Sequence, residues 1–269
     1  MSSPVFNLLA HLQVSMSGKS EMHPLITDEI RENVLRGVFE GYYRNQLDRS
    51  VIFDTNRAWC GRMFVVDKLF PKAKVVCCVR AVPWILDSVE RIVRSNPLEP
   101  TRMFGFEASG NVYARAEALM GPGGMVGSAM ACLKDAFNGV FADRLVVVPY
   151  EALTAHPEQT IAELYGALGE EPFAHDFDHV EYNADDFDFR IGARGLHKVS
   201  GKVEYRPREL TLPSELAMKH HRSDFWNHAG RNPRNVRVLG PRPPSEVVRE
   251  EASPDQRLDR REPDFSPAL

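Results

Sequence analysis

A chain of 269 residues with a net charge of −4 has room for one α/β domain with a real core, and it carries no overall basic field to draw nucleic acid. Its apolar share of 43% is that of an ordinary globular protein. No apolar run of about eighteen residues offers a membrane span, and the start lacks the charged and apolar regions of a secretory signal.

Residues 4–14 are apolar enough for a short helix. Gly18-Lys19-Ser20 looks like the end of a phosphate-binding loop, but the glycine needed five residues before Gly18 is replaced by Gln13. No strand-like run precedes it and Pro24 interrupts any helix after it, so this stretch reads as a turn. Thr27 is an N-cap for a helix running to about Gln46, with Asp28 and Glu29 at the positive end of its dipole. Ile30, Val34, Leu35, Val38 and Phe39 recur at helical spacing and predict its core stripe. Residues 51–54 read as a strand and 57–70 as a helix stopped by Pro71. Residues 74–80 form the next strand and 83–94 the next helix. Helices follow over 111–120 and 125–141, separated by Gly121-Pro122-Gly123-Gly124. A strand over 145–148 and a helix over 157–168 complete the alternation. Short apolar strands alternating with longer helices predict a parallel sheet covered on both faces.

Residues 173–203 are irregular, acidic and rich in aromatics, too long for a plain connection. A short helix over 213–221 leads to Phe225-Trp226. Beyond that point the composition changes, with seven of the nineteen prolines falling between Arg231 and Leu269. The expectation is one domain over 1–226 and a disordered tail over 227–269. Cys60, Cys77, Cys78 and Cys132 show no zinc-ligand spacing and read as reduced, buried thiols of a cytoplasmic protein.

The most informative residues are Arg80 and Ser88. An apolar strand ends in an arginine, Pro83 opens a helix, and a serine follows one to two turns in. That layout brings a planar cation and a hydroxyl to the crevice at the carboxyl end of the sheet, where one phosphate can meet both. The strand ends at Asp54-Thr55-Asn56-Arg57 and at Pro149-Tyr150-Glu151-Ala152-Leu153 carry further polar groups.

Together these segments resemble the sulfotransferase family, in the bacterial branch related to tyrosyl-protein and carbohydrate sulfotransferases, from about Pro4 to Trp226. The resemblance implies a P-loop nucleotide-hydrolase-like fold and 3′-phosphoadenosine 5′-phosphosulfate (PAPS) as sulfuryl donor. It implies that Arg80 and Ser88 hold the 3′-phosphate, that Tyr150 contacts the adenine end, and that Lys198, or less well Lys202, contacts the nucleotide. Arg91 and Arg94 either add charge or form a solvated helix face. Asp54 is the candidate general base, ahead of His11 and His23, and its alternative role is to orient Asn56 or Arg57 or to cap the next helix. His175 and His179 stand four apart without a third ligand, so no metal is expected. The chain departs from the family at its start. Such proteins open with a strand, a Gly-x-Pro-Arg-Ser-Gly-type loop for the 5′-phosphosulfate and a helix, and Met1-Ser2-Ser3-Pro4-Val5 lies just downstream of where these belong. The expectation is therefore a sheet short of that first strand-loop-helix unit. Two functions follow: sulfuryl transfer from PAPS to a hydroxyl or amine of a carbohydrate, peptide or small metabolite, or a truncated, inactive protein that retains only 3′-phosphonucleotide binding.

Overall fold

The computed structural model describes residues 2–18, 21, 23–105, 108 and 110–241. Two helices open the fold, α1 (Val5–Ser15) and α2 (Asp28–Tyr42). They pack on one another through Val5, Leu9 and Leu35, with Met16 closing the cluster. The predicted cap is present: the Thr27 hydroxyl accepts a hydrogen bond from the Ile30 N–H at 3.2 Å. Thr27→Ala is expected to lower stability by about 1 kcal/mol, read as a shift in the urea midpoint at unchanged slope. The predicted stripe is only half used. Leu35 is buried, but Ile30 and Val34 stay 44% and 39% exposed.

Residues 51–56 have no regular secondary structure and form no ladder among the described residues, which corrects the predicted strand at 51–54. Strand propensity needs a neighbour to bond, and here the main-chain bond is from the Ser3 N–H to the Thr55 carbonyl at 2.8 Å. The predicted helix at 57–70 is split into a 3-10 segment, Arg57–Arg62, whose start Asn56 caps through the Ala58 N–H, and α3 (Met63–Leu69).

The sheet is built from β1 (Val75–Val79), β2 (Leu145–Pro149) and β3 (Arg237–Val238), parallel throughout and in the order β1-β2-β3. Between them lie α4 (Val82–Ser95), α5 (Val112–Met120) and α6 (Met125–Asn138), then α7 (Tyr150–Ala155), α8 (Pro157–Leu168), α9 (Asp185–Arg190) and α10 (Ser214–His220). The result is α/β, a three-stranded parallel sheet flanked by helices. β2 is buried at all five positions, as a central strand must be. β1 is at the edge, so its Cys78 is exposed rather than buried, while Cys60 is buried and all four cysteines are free.

One core cluster joins β1 and β2 to α6 and the 225–226 turn through Leu133, Phe137, Leu145, Val147 and Trp226. A second seats α4 on α5 and α10 through Leu86, Val89, Leu119 and Leu216. The sheet also runs past the expected boundary at 226. Val236 and Leu239 are 4% and 1% exposed, and Arg237–Val238 is the third strand. Composition misleads here because a few alternating apolar residues suffice once a buried neighbour strand stands ready. Residues 242–269 of the expected tail lie outside the described residues. Among the described residues, no helix is long and apolar enough to cross a membrane.

Candidate functional site

The register of the sheet builds the site. Val79 of β1 pairs with Pro149 of β2, so Arg80 and Tyr150 leave adjacent strands at one level. The Arg80 guanidinium lies over the Tyr150 ring at 4.0 Å from its centroid, and 5.9 Å from that of Trp84. Pro83 sits at the first turn of α4, where a missing N–H costs nothing, and that helix carries Ser88 back beside the strand end. The Ser88 hydroxyl donates to the Trp84 carbonyl at 2.8 Å and accepts from Arg208 Nη2 at 2.8 Å. The Arg208 guanidinium is itself 5.8 Å from the Trp84 ring centroid. Arg80 and Ser88 thus meet around Trp84, with Tyr150 against Arg80, and Arg208 joins them from far along the chain.

Asp87 holds this arrangement from below. It is fully buried and receives Arg91 Nε at 2.8 Å, the Thr211 N–H at 2.6 Å and the Thr211 hydroxyl at 2.8 Å, with Arg208 Nη2 at 3.1 Å. Burial pushes its carboxyl up, but the bonds from Arg91 and Thr211 outweigh that, and the net shift is downward. Arg91 and Arg94 are not a bare solvated face. They reach the Glu209 and Thr211 carbonyls at 2.6 and 3.5 Å and strap residues 208–211 onto α4. Burial lowers the pKa of Arg208, Asp87 opposes that shift, and the like charge of Arg80 adds to it.

Two mutually repelling guanidiniums and a hydroxyl converge here, and Arg80 Nε is buried with no hydrogen-bond partner. A buried donor left unpaired is costly, and a phosphate dianion would satisfy it while neutralising both cations. The residues present fit that group.

No hydrogen bond, ion pair or ring contact links the other predicted residues to this cluster among the described residues. Asp54 sits in a hub of its own. It accepts from the Ser3 hydroxyl at 2.5 Å, the Tyr43 hydroxyl at 2.8 Å and Trp59 Nε1 at 2.6 Å. Burial, and then the hydrogen bond to Asp54 and its charge, push the Tyr43 phenol up to about 12. Those donors leave Asp54 little capacity for a substrate proton and suit it to tying α2 to the 51–59 stretch. Lys198 is exposed beside His197, and Lys202 is paired with Asp178 at 2.7 Å. His11 bonds the Asn7 carbonyl, and His23 opens a 3-10 turn. His175 bonds the Tyr165 hydroxyl between two phenylalanine rings, and His179 bonds Asp176. Among the described residues no group of three or more His, Cys, Asp or Glu is placed to hold a metal ion. Lys19 and Ser20 of the apparent phosphate loop lie outside the described residues.

Sequence reasoning missed Arg208 and the supporting role of Asp87. The available signal was Arg206-Pro207-Arg208, a basic pair set in an otherwise acidic and aromatic stretch.

None of the curated proteins and none of the solved structures matches this chain. The sequence profile of the Sulfotransferase family matches residues 16–175, a span that takes in Arg80, Ser88 and Tyr150. That match covers more than half of the chain, and the protein belongs to the Sulfotransferase family.

Proposed function

We propose that the Arg80–Ser88–Arg208 cluster receives the 3′-phosphate of PAPS, and that the protein serves sulfuryl transfer to a hydroxyl or amine of a carbohydrate, peptide or small metabolite. The observation that carries this reading is the buried, unpartnered Nε of Arg80. Its guanidinium is steered by Tyr150 and needs an anionic acceptor within the crevice. Arg208 supplies the second cation, held ready by Asp87, and Ser88 supplies a hydroxyl already in contact with Arg208. Tyr150 is 37% exposed, so part of its surface is open to the adenine end. Lys198, exposed at the surface, suits a further contact to the nucleotide. When bound, the donor supplies the activated sulfuryl group, and these side chains orient it. The free thiols fit a reducing, cytoplasmic setting.

Titration calorimetry with adenosine 3′,5′-bisphosphate tests this. Hydrogen bonds to charged groups contribute about 1.5–3 kcal/mol, so Arg80→Ala is expected to weaken binding on the order of 100-fold. Arg208→Ala should cost about tenfold and Ser88→Ala less, following the weaker bonds they lose. Equal affinity in wild type and Arg80→Ala, with both proteins folded, refutes the site.

One observation favours the second reading, binding without turnover. Among the described residues β1 is paired on one side only, and residues 51–56 form no ladder. In a P-loop-like sulfotransferase a further strand beside β1 would lead into the loop for the 5′-phosphosulfate. On this reading residues 1–269 hold the 3′-phosphate half of the site, and an extended form carrying that unit transfers sulfate from labelled PAPS where the short form does not.

A further inference from the structure

Arg80 is held in place without a counter-charge. Among the described residues it makes no ion pair and no hydrogen bond, and its Nε is buried. What it does touch is aromatic: the Tyr150 ring at 4.0 Å and the Trp84 ring at 5.9 Å. The same indole lies 5.8 Å from the Arg208 guanidinium. One ring therefore serves both cations of the cluster.

The helix puts that ring where it is needed. Trp84 stands in the first turn of α4, four residues before Ser88, so both belong to one face of the helix as it leaves the end of β1. The Ser88 hydroxyl bonds the Trp84 carbonyl and ties that turn together. Of the three tryptophans, Trp59 is committed to Asp54 through Nε1 and Trp226 to the core beside β1 and β2. Trp84 is the indole at the cluster, and it is half-buried.

An aromatic face attracts a guanidinium through its quadrupole and uses none of the cation's N–H donors. A carboxylate in the same place would occupy those donors and cancel the charge that draws a phosphate. Arg208 makes that compromise in part, with Asp87 against its Nη2 at 3.1 Å, whereas Arg80 does not. The two cations also repel. Burial lowers the Arg208 pKa, and the Arg80 charge adds to that shift. Without a common support the repulsion would spread them, and a ligand would first have to gather them again, at a cost in affinity.

Resting on the assignment of the 3′-phosphate to this cluster, we propose that Trp84 is a positioning residue of the clamp. Its indole holds the Arg80 and Arg208 guanidiniums together before the ligand arrives and leaves their N–H groups free. It thereby sets the preference for a nucleotide that carries a 3′-phosphate over one that lacks it. Trp84 acts through the two arginines and not through the base or ribose.

Titration calorimetry of wild type, Trp84→Leu and Trp84→Phe, each with adenosine 3′,5′-bisphosphate and with adenosine 5′-monophosphate, tests this. Trp84→Leu is expected to bind the bisphosphate about tenfold more weakly and the monophosphate within about twofold of wild type, since only the first engages the clamp. Trp84→Phe keeps a ring face and should stay within about threefold of wild type for both. An equal loss for the two nucleotides in Trp84→Leu overturns the proposal, because a general effect on the fold or a contact to the base would do that. So does a Trp84→Leu protein that discriminates as well as wild type, or a Trp84→Phe protein that behaves like Trp84→Leu. A wild-type chain that does not distinguish the two nucleotides, by contrast, refutes the assignment of the cluster and this proposal with it.

Discussion

A chain shortened to end at Trp226 should lose its cooperative unfolding transition, although composition alone marks everything after that residue as dispensable. Shortening removes β3, and with it Val236 and Leu239 from the core. Burying an aliphatic side chain contributes about 1.5–3 kcal/mol, so these two account for roughly 3–6 kcal/mol of a typical 5–15. The loss does not stop there. Val146 and Val148 of β2, now 3% and 2% exposed, would face water on the side that Leu239 covers. The Val147 carbonyl loses the Leu239 N–H at 2.9 Å, and Glu163 loses the Gly240 N–H at 2.7 Å. Urea melts followed by circular dichroism would compare chains ending at Trp226 and at Pro241. A sharp transition at the same midpoint in both would show that β3 is ornamental.

Asp87→Ala is expected to cost about 3–5 kcal/mol and to weaken nucleotide binding as well. The substitution leaves Arg91, Arg208 and the Thr211 N–H facing a buried void instead of a carboxylate. The two effects share one cause, because the carboxylate that ties residues 208–211 to α4 also aims Arg208 at Ser88. The pH dependence follows from the direction of the shift. The folded pKa of Asp87 lies below its unfolded value, so its contribution is complete above about pH 4 and is lost as pH falls through the folded pKa. Glu90 moves the same way: burial raises its carboxyl, but Arg115 and Arg94 more than reverse that. Wild-type stability should therefore fall below about pH 4, and the Asp87→Ala curve should be flatter over that interval. Parallel acid limbs in the two proteins would show that Asp87 does not carry this charge.

Local signals were legible wherever one segment contained both the pattern and its cause. The runs at 74–80 and 145–148 are dense in valine and became β1 and β2, and the Thr27 cap needed only its own first turn. Arg80 and Ser88 were readable for the same reason: strand, proline and helix turn are contiguous, and the spacing fixes the geometry. Residues 51–54 are also mostly apolar but are unpaired among the described residues, since a ladder depends on what lies alongside, which the segment itself does not contain. Arg208 reaches Ser88 across 120 positions, so it appears in no window of helical or strand period. Asp54 shows the opposite case. Its place after an apolar run suggested a crevice, but Ser3, Tyr43 and Trp59 converge on it from three different parts of the chain.

The sheet's second seam has a consequence for synthesis. Val146 pairs with Arg237, a separation of 91 positions (237 − 146). Translation proceeds at about 5–20 residues per second, so β2 waits roughly 5–18 s between its own appearance and that of its last neighbour. β1, α6 and the helices before them can already be in place, yet one flank of the most buried strand stands bare through that interval. Nascent chains are then at their stickiest, and slow translation lengthens the exposure rather than relieving it. Yield in a cell should respond to holdase chaperones and to codon speed over residues 150–236 more than to the stability of the finished protein.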